Sequence, residues 1–190
     1  DIGIEMLSRL ARLAGICLVL WGLIPGLWVQ AEEPDFAVLE RISLPWACGE
    51  GHRITWGPES HWANGNSRGL SFDFSMVEGT PILAPADGLA TFGFDEKPFI
   101  PNLGNYVDLT IEGGWRLRFA HLRDAQQGER RVRAGEVLGY SGASGAAQAH
   151  LHMELFRPGS NAWSVEDTQK IAYYFGIPLA EWSEGATIVS

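Results

Sequence analysis

The segment from residue 149 to residue 155, Ala-His-Leu-His-Met-Glu-Leu, alternates polar and apolar side chains and most constrains what this chain can fold into. Side chains of a β-strand point alternately to opposite faces, so His150, His152 and Glu154 share one face and the apolar residues share the other. Imidazole is the commonest protein ligand for transition metals. An isolated His-x-His is also common on solvated strands. The rest of the chain therefore has to decide between a metal site and a solvated face.

The same alternation recurs elsewhere in the chain. Residues 70–76 place Asp73 in the middle of a polar face whose reverse side is apolar. Residues 105–112 and 115–122 alternate in the same way and are separated by Gly113-Gly114, which predicts a β-hairpin. These segments, with Gly- and Pro-rich turns between them, predict a mainly β fold.

Strand parity leaves two interpretations of His121. It falls on the same face as Leu117 and Phe119, which are apolar. Either these side chains line a groove that leads to His121, or His121 is a buried core histidine with its hydrogen bonds satisfied. Parity alone does not decide between them.

The N-terminal residues have the pattern of a secretory signal. Arg9 and Arg12 precede an apolar run over residues 13–23, which Pro25-Gly26 ends, and residues 29–31 are Val-Gln-Ala. This order predicts a signal peptide over residues 1–31 that is cleaved after Ala31. An uncleaved anchor is the alternative, because the apolar stretch extended to Val29 approaches the roughly 17 residues that span a bilayer.

Composition limits the remaining possibilities. Without the signal, Cys48 is the only cysteine, so we expect no internal disulfide. The formal net charge of −9 argues against nucleic acid as a partner and gives no attraction to anionic lipid. We expect a monomer without stable membrane association after signal cleavage.

The predicted domain map has four parts. A linker over residues 32–43 follows the signal, the main domain covers residues 44–160, and residues 161–190 form a C-terminal helical extension. The short helix of this extension begins at a capping box formed by Ser164 and Asp167. Three apolar residues at helical spacing continue it, namely Ile171, Tyr174 and Phe175.

Six segments stand in a recognisable order along the chain: Phe-Asp-Phe at 72–74, Glu-Gly-Thr-Pro-Ile-Leu-Ala-Pro-Ala-Asp-Gly at 78–88, Gly-Asn-Tyr-Val at 104–107, Phe-Ala-His-Leu at 119–122, Val-Arg-Ala-Gly-Glu-Val-Leu-Gly-Tyr-Ser-Gly at 132–142 and His-Leu-His-Met-Glu at 150–154. In this order they resemble the M23 family of zinc metallopeptidases, the lysostaphin and LytM type. The resemblance implies an antiparallel sheet with a substrate groove. It also implies one zinc ion and hydrolysis of peptide cross-links in bacterial peptidoglycan, here by a secreted enzyme.

The resemblance also assigns roles to residues. Asp73 corresponds to the family's second zinc ligand and His152 to its third, while His121 and His150 correspond to the two catalytic histidines that do not bind zinc. This assignment favours the groove interpretation of His121. His121 and His150 would take a proton from water and hold the developing oxyanion, and the sequence does not apportion these two roles.

The first ligand departs from the usual pattern. In most members it stands four residues before the aspartate, where this chain has Gly69. A staphylolysin-like branch places it about a dozen residues earlier in a loop with tryptophan, and Ser-His-Trp-Ala-Asn-Gly at 60–65 resembles that loop. We therefore assign His61 as the first ligand, with His52 as the rival.

Two other classes of function were weighed. A metal-free relative that regulates cell-wall enzymes would be expected to lack ligands, whereas Asp73 and His152 are present together with both catalytic histidines. A swinging-arm carrier domain would need a lysine at a hairpin tip. The two lysines, Lys97 and Lys170, are not in such a setting, so the carrier interpretation is discarded.

Overall fold

β-Strands make up most of the regular structure in the computed structural model, which describes residues 33–65, 69–95, 97, 102–161, 164–171 and 173–190. The predicted signal peptide over residues 1–31 lies outside the described residues. Pro34–Ser190 form one compact unit. Within the described residues, no helix is long and apolar enough to cross a membrane.

The strands are β1 (Gly51–Trp56), β2 (Leu70–Ser75), β3 (Pro81–Leu83), β4 (Gly88–Phe94), β5 (Asn105–Thr110), β6 (Arg116–Leu122), β7 (Gly128–Val132), β8 (Val137–Tyr140), β9 (His150–Phe156), β10 (Tyr173–Tyr174), β11 (Ile177–Pro178) and β12 (Thr187–Val189). The α-helices are short, Pro58–Ala63 and Val165–Gln169, and the 3-10 helices are Phe36–Glu40, Glu112–Gly114 and Leu179–Glu181.

Eight of these strands form one antiparallel sheet in the order β12-β1-β2-β9-β6-β5-β4-β7. The predicted hairpin is confirmed as β5 and β6, which are joined by the 3-10 turn Glu112–Gly114. Two further antiparallel pairs, β3 with β8 and β10 with β11, lie outside the sheet. The prediction of a mainly β, antiparallel fold is confirmed.

The core lies against one face of the sheet, as the alternation predicts. The apolar residues of β2 and β9 that share this face are fully buried: Leu70, Phe72, Phe74, Leu151, Met153 and Leu155. Because each strand alternates, burying this face leaves Asp73, His150 and His152 on the opposite face. The central pair of strands therefore separates the core from the polar site.

The C-terminal region differs from the predicted helix. The capping box is present, with Ser164 accepting a hydrogen bond from the backbone of Asp167, but the helix ends at Gln169. Tyr174 lies in β10 and packs its fully buried ring 4.8 Å from that of Trp182. The extended backbone of β10 lets this large ring enter the core. Burial of the ring stabilises the fold by more than the weak helical propensity of so short a segment.

The final strand belongs to the main sheet. β12 pairs with β1 along its outer edge, with Ile188 opposite His52. From residue 161 onward, the described residues contain the helix Val165–Gln169, the 3-10 helix Leu179–Glu181 and three short strands, so the predicted helix does not continue beyond Gln169. The limits of 44 and 160 for the main domain remain a prediction.

Candidate metal centre

Strand register brings the first two site residues together. Asp73 of β2 stands directly opposite His152 of β9. The Nδ1 atom of His152 lies 2.8 Å from Oδ1 of Asp73, within hydrogen-bond distance. Residues 79 apart in sequence are therefore held side by side by backbone hydrogen bonds of the sheet.

His61 reaches the same carboxylate from the short helix Pro58–Ala63. Its Nε2 atom lies 3.3 Å from Oδ1 of Asp73, and the side chain is buried. Glu184 holds the start of this helix by accepting hydrogen bonds from the Gly57 N–H at 2.9 Å and from the Ser60 hydroxyl. A contact with the C-terminal region therefore positions His61.

The three side chains fit a zinc ion. Ligand atoms of His61, Asp73 and His152 lie within 4.8 Å of one another. Two ligands of a tetrahedral zinc are roughly 3.3–3.6 Å apart, given bonds of about 2.0–2.2 Å, which is comparable with the observed spacing around Asp73. Among the described residues, neither ring nitrogen of buried His61 has a hydrogen-bond partner. Buried polar atoms are rarely left unpaired, and a cation bound to one of these nitrogens would satisfy that atom.

His52 does not join this cluster. It lies on β1, with Nδ1 3.3 Å from the carbonyl oxygen of Ser75 and Nε2 3.7 Å from Glu50. Its ring packs against Trp46, with ring centroids 5.0 Å apart. The structure therefore brings His61, and not the rival His52, to Asp73 and His152.

His121 and His150 lie beside the cluster, with ring centroids 4.5 Å apart. The Nδ1 atom of His121 is 2.9 Å from the carbonyl oxygen of Ser144, and Nδ1 of His150 is 2.9 Å from that of Gln148. Carbonyl oxygens only accept, so each Nδ1 carries its proton. In the neutral form of such a ring the lone pair is then on Nε2, which can accept a proton.

A β-bulge explains why His121 departs from strand parity. Asn105 is opposite Leu122, whereas Val107 is opposite Phe119, so β6 carries one extra residue in this interval. His121 has a φ of 62°, an uncommon conformation for a residue with a side chain. The bulge turns its imidazole toward His150, away from the core side where alternation would place it.

The site has strongly perturbed electrostatics. Burial alone raises the pKa of the Asp73 carboxyl, but the neighbouring imidazoles of His152 and His61 outweigh this effect and hold this pKa well below its usual range. For His152, burial lowers the pKa, and the carboxylates of Asp73 and Glu154 outweigh this effect and raise it above its ordinary value. Burial and nearby imidazoles lower the pKa of His121 to about 4. His121 is therefore neutral at neutral pH.

All five site residues line one open cavity of about 720 Å³. Trp56 and the segment Ala146–Ala149 also line it. The predicted groove over the sheet is thus present. Sequence reasoning missed Ser144 and Glu184, because both act through contacts with residues far away in sequence.

Comparisons with known proteins identify the family of this chain. The model of peptidase family M23 matches residues 67–166, just over half of the chain. DD-carboxypeptidase/endopeptidase Mpg of Neisseria meningitidis serogroup B is 39% identical over 83 residues, which are 43% of this chain and 18% of that protein. Cell division protein DipM of Caulobacter vibrioides is 35% identical over 80 residues, 41% of this chain and 13% of that protein. The chain thus matches less than a fifth of the length of either relative.

Among solved structures, lysostaphin from Staphylococcus simulans is similar with a TM-score of 0.46 and 25% identity, over 66% of this chain and 48% of that chain. The assignment of the fold rests on the strands of the chain itself. The family match extends from before β2 to beyond β9 and includes Asp73, His121, His150 and His152. This chain belongs to peptidase family M23.

Proposed function

We propose that this protein is a zinc-dependent endopeptidase that hydrolyses peptide cross-links of bacterial peptidoglycan outside the cytoplasm. The observation that carries the proposal is the convergence of His61, Asp73 and His152 within 4.8 Å on the floor of an open groove. Two imidazoles and a carboxylate are a common ligand set of catalytic zinc, which keeps a further position for water or substrate.

His61, Asp73 and His152 would hold the ion. Zinc, when bound, lowers the pKa of a coordinated water toward about 7 and polarises the carbonyl of the scissile bond. The catalytic histidines are His121 and His150, whose Nε2 atoms are free to accept a proton from the attacking water. An imidazole that has accepted this proton becomes a donor, and can then hydrogen-bond to the oxyanion or protonate the leaving amine.

The choice of substrate is supported by family membership and by the shape of the groove. An open groove accepts a peptide within a cross-linked network, which a closed pocket would exclude. The matched relatives are named as a carboxypeptidase/endopeptidase and as a cell division protein. The predicted signal at residues 1–31 would deliver the domain to the cell wall.

A metal-free regulator is disfavoured, because the chain has every residue that the zinc mechanism uses.

The test combines metal analysis with hydrolysis of purified peptidoglycan. We expect the purified protein to hold one zinc and to convert the cross-linked muropeptides of purified peptidoglycan into uncross-linked ones, and a chelator to abolish this activity. His61→Ala should lose both zinc and activity, whereas His52→Ala is the matched control and should keep both. Zinc retained in His61→Ala but lost in His52→Ala would overturn the ligand assignment. A zinc-loaded protein that leaves the cross-links intact would contradict the proposed substrate.

A further inference from the structure

Glu154 is a buried carboxylate beside His152 of the candidate metal centre. Only 4% of its surface is exposed. It lies on the same face of β9 as His152, two residues away, with Oε2 3.9 Å from the Nε2 atom of His152. A buried carboxylate is costly unless other groups compensate for its charge, so its surroundings indicate what it does.

The two ring nitrogens of His152 point to different carboxylates. Nδ1 faces Asp73 at 2.8 Å and belongs to the proposed zinc site. Nε2 is buried on the other side of the ring and faces Glu154. In a buried site with a low effective dielectric, attraction between this carboxylate and an Nε2–H proton is much stronger than in water. Glu154 therefore favours the tautomer in which the proton is on Nε2 and the Nδ1 lone pair faces the cation site.

Gly69 holds Glu154 in place from one side. Its backbone N–H donates a hydrogen bond of 2.7 Å to Oε1 of Glu154. A Cβ atom at position 69 would lie 2.5 Å from Cγ of Glu154 and 2.6 Å from the carbonyl oxygen of Leu155. The absence of a side chain at residue 69 is thus what lets the carboxylate approach the backbone.

Arg118 holds Glu154 from the other side. Its Nη1 atom lies 3.8 Å from Oε2 of Glu154. The guanidinium is fixed by two hydrogen bonds to Asp108, of 2.7 and 2.8 Å, and lies over the rings of Tyr106 and Phe156. A rigid positive charge therefore compensates for the buried carboxylate and limits its rotation.

We propose that Glu154 is a positioning residue that orients His152 for metal binding, with Gly69 and Arg118 holding its carboxylate in place. The proposal rests on the proposed function, because it assumes that His152 binds zinc. Partners that orient a metal-binding histidine typically change metal affinity by about 10- to 100-fold when they are removed.

The experiment measures zinc affinity by competition with a chromogenic chelator. In Glu154→Gln, a single amide oxygen cannot accept from Gly69 and also face His152, so the Kd for zinc should rise about 10- to 100-fold. In the zinc-loaded protein, NMR should show a slowly exchanging Nε2 proton on His152. This proton should exchange faster in the variant. Glu154→Asp keeps the charge at a shorter reach and should weaken zinc binding less, which gives a second test if Glu154→Gln folds poorly.

Asp167→Asn is the matched control. Asp167 is also 4% exposed and is hydrogen-bonded to Arg157 at 2.7 Å, but it lies in the C-terminal helix away from the site. Its variant should lose stability and keep wild-type zinc affinity. Equal weakening in Asp167→Asn, or unchanged affinity in Glu154→Gln and Glu154→Asp, would overturn the positioning role. If His152→Ala binds zinc as tightly as the wild type, the proposed metal site itself fails, which is a distinct outcome.

Discussion

Asp73 is the residue on which the site converges. Its Oδ1 atom faces His61 at 3.3 Å and His152 at 2.8 Å, whereas its Oδ2 atom lies 3.7 Å from Nε2 of His150. The two oxygens thus face different groups: Oδ1 faces the proposed ligands and Oδ2 faces a proposed catalytic histidine. One carboxylate therefore sets the distance between the proposed ligands and His150.

Because the proposed ligands and the proposed catalytic histidines are different residues, their substitutions should have different effects on zinc binding and activity. His150→Ala and His121→Ala should keep zinc and lose about 10²- to 10⁴-fold in turnover, because general acid-base groups contribute that range. Zinc content and cross-link hydrolysis should be measured on the same preparations, with His52→Ala as a control for the removal of an imidazole elsewhere. Loss of zinc from either variant would make that residue a ligand and refute its assigned role.

Among the elements, the bulge on β6 and the loop before β9 act together. Ser144 in this loop accepts hydrogen bonds from Nδ1 of His121 through its carbonyl and from the Asn105 N–H through its hydroxyl, and donates to the carbonyl of Leu122. Gly104 lies against it with a φ of 55°. The loop and the bulge therefore fix the orientation of His121 together.

The packing at Gly104 leads to a stability prediction. A Cβ at residue 104 would lie 2.2 Å from the carbonyl oxygen of Ser144, whereas a Cβ at Gly128, with a φ of 84°, would meet nothing within 4 Å. Gly128→Ala should cost about 1–2 kcal/mol of unfolding free energy from backbone strain alone. Gly104→Ala should cost roughly 1–3 kcal/mol more, because the backbone must also move apart. Urea denaturation of both variants would measure the difference, and equal losses would contradict the close packing.

At the scale of the whole molecule, the C-terminal residues complete the sheet. β12 covers the outer edge of β1, and β1 leads through Trp56 to the helix that carries His61. Glu184 also fixes the start of this helix. The end of the chain is therefore coupled to the metal centre through two consecutive elements.

The contribution of β12 to the stability of the domain can be tested with two neighbouring residues. Ile188 is 3% exposed and Val189 is 56% exposed. Ile188→Ala should cost about 2–5 kcal/mol of unfolding free energy, because it removes a buried side chain from the core. Val189→Ala should change stability by less than about 0.5 kcal/mol. Thermal or urea denaturation measures both, and an unaffected Ile188→Ala would mean that the Ile188 side chain does not contribute to the stability of the core.

Much of the fold and part of the site could be predicted from the sequence alone. The alternation in β2 and β9 determined which residues face the core and which face the groove, because strand parity is a local property. The same alternation placed Asp73, His150 and His152 on polar faces, and the ordered motifs indicated the family. Local patterns of this kind need no knowledge of distant contacts.

Only the tertiary structure decided the remaining features. The face of His121 depends on a bulge that is defined by pairing with β5. The approach of His61 to Asp73 depends on how Glu184 anchors a helix more than 120 residues earlier in the chain. The early end of the C-terminal helix depends on burial of Tyr174 against Trp182. In each case the deciding interaction joins residues far apart in sequence, so its energy is absent from any local pattern.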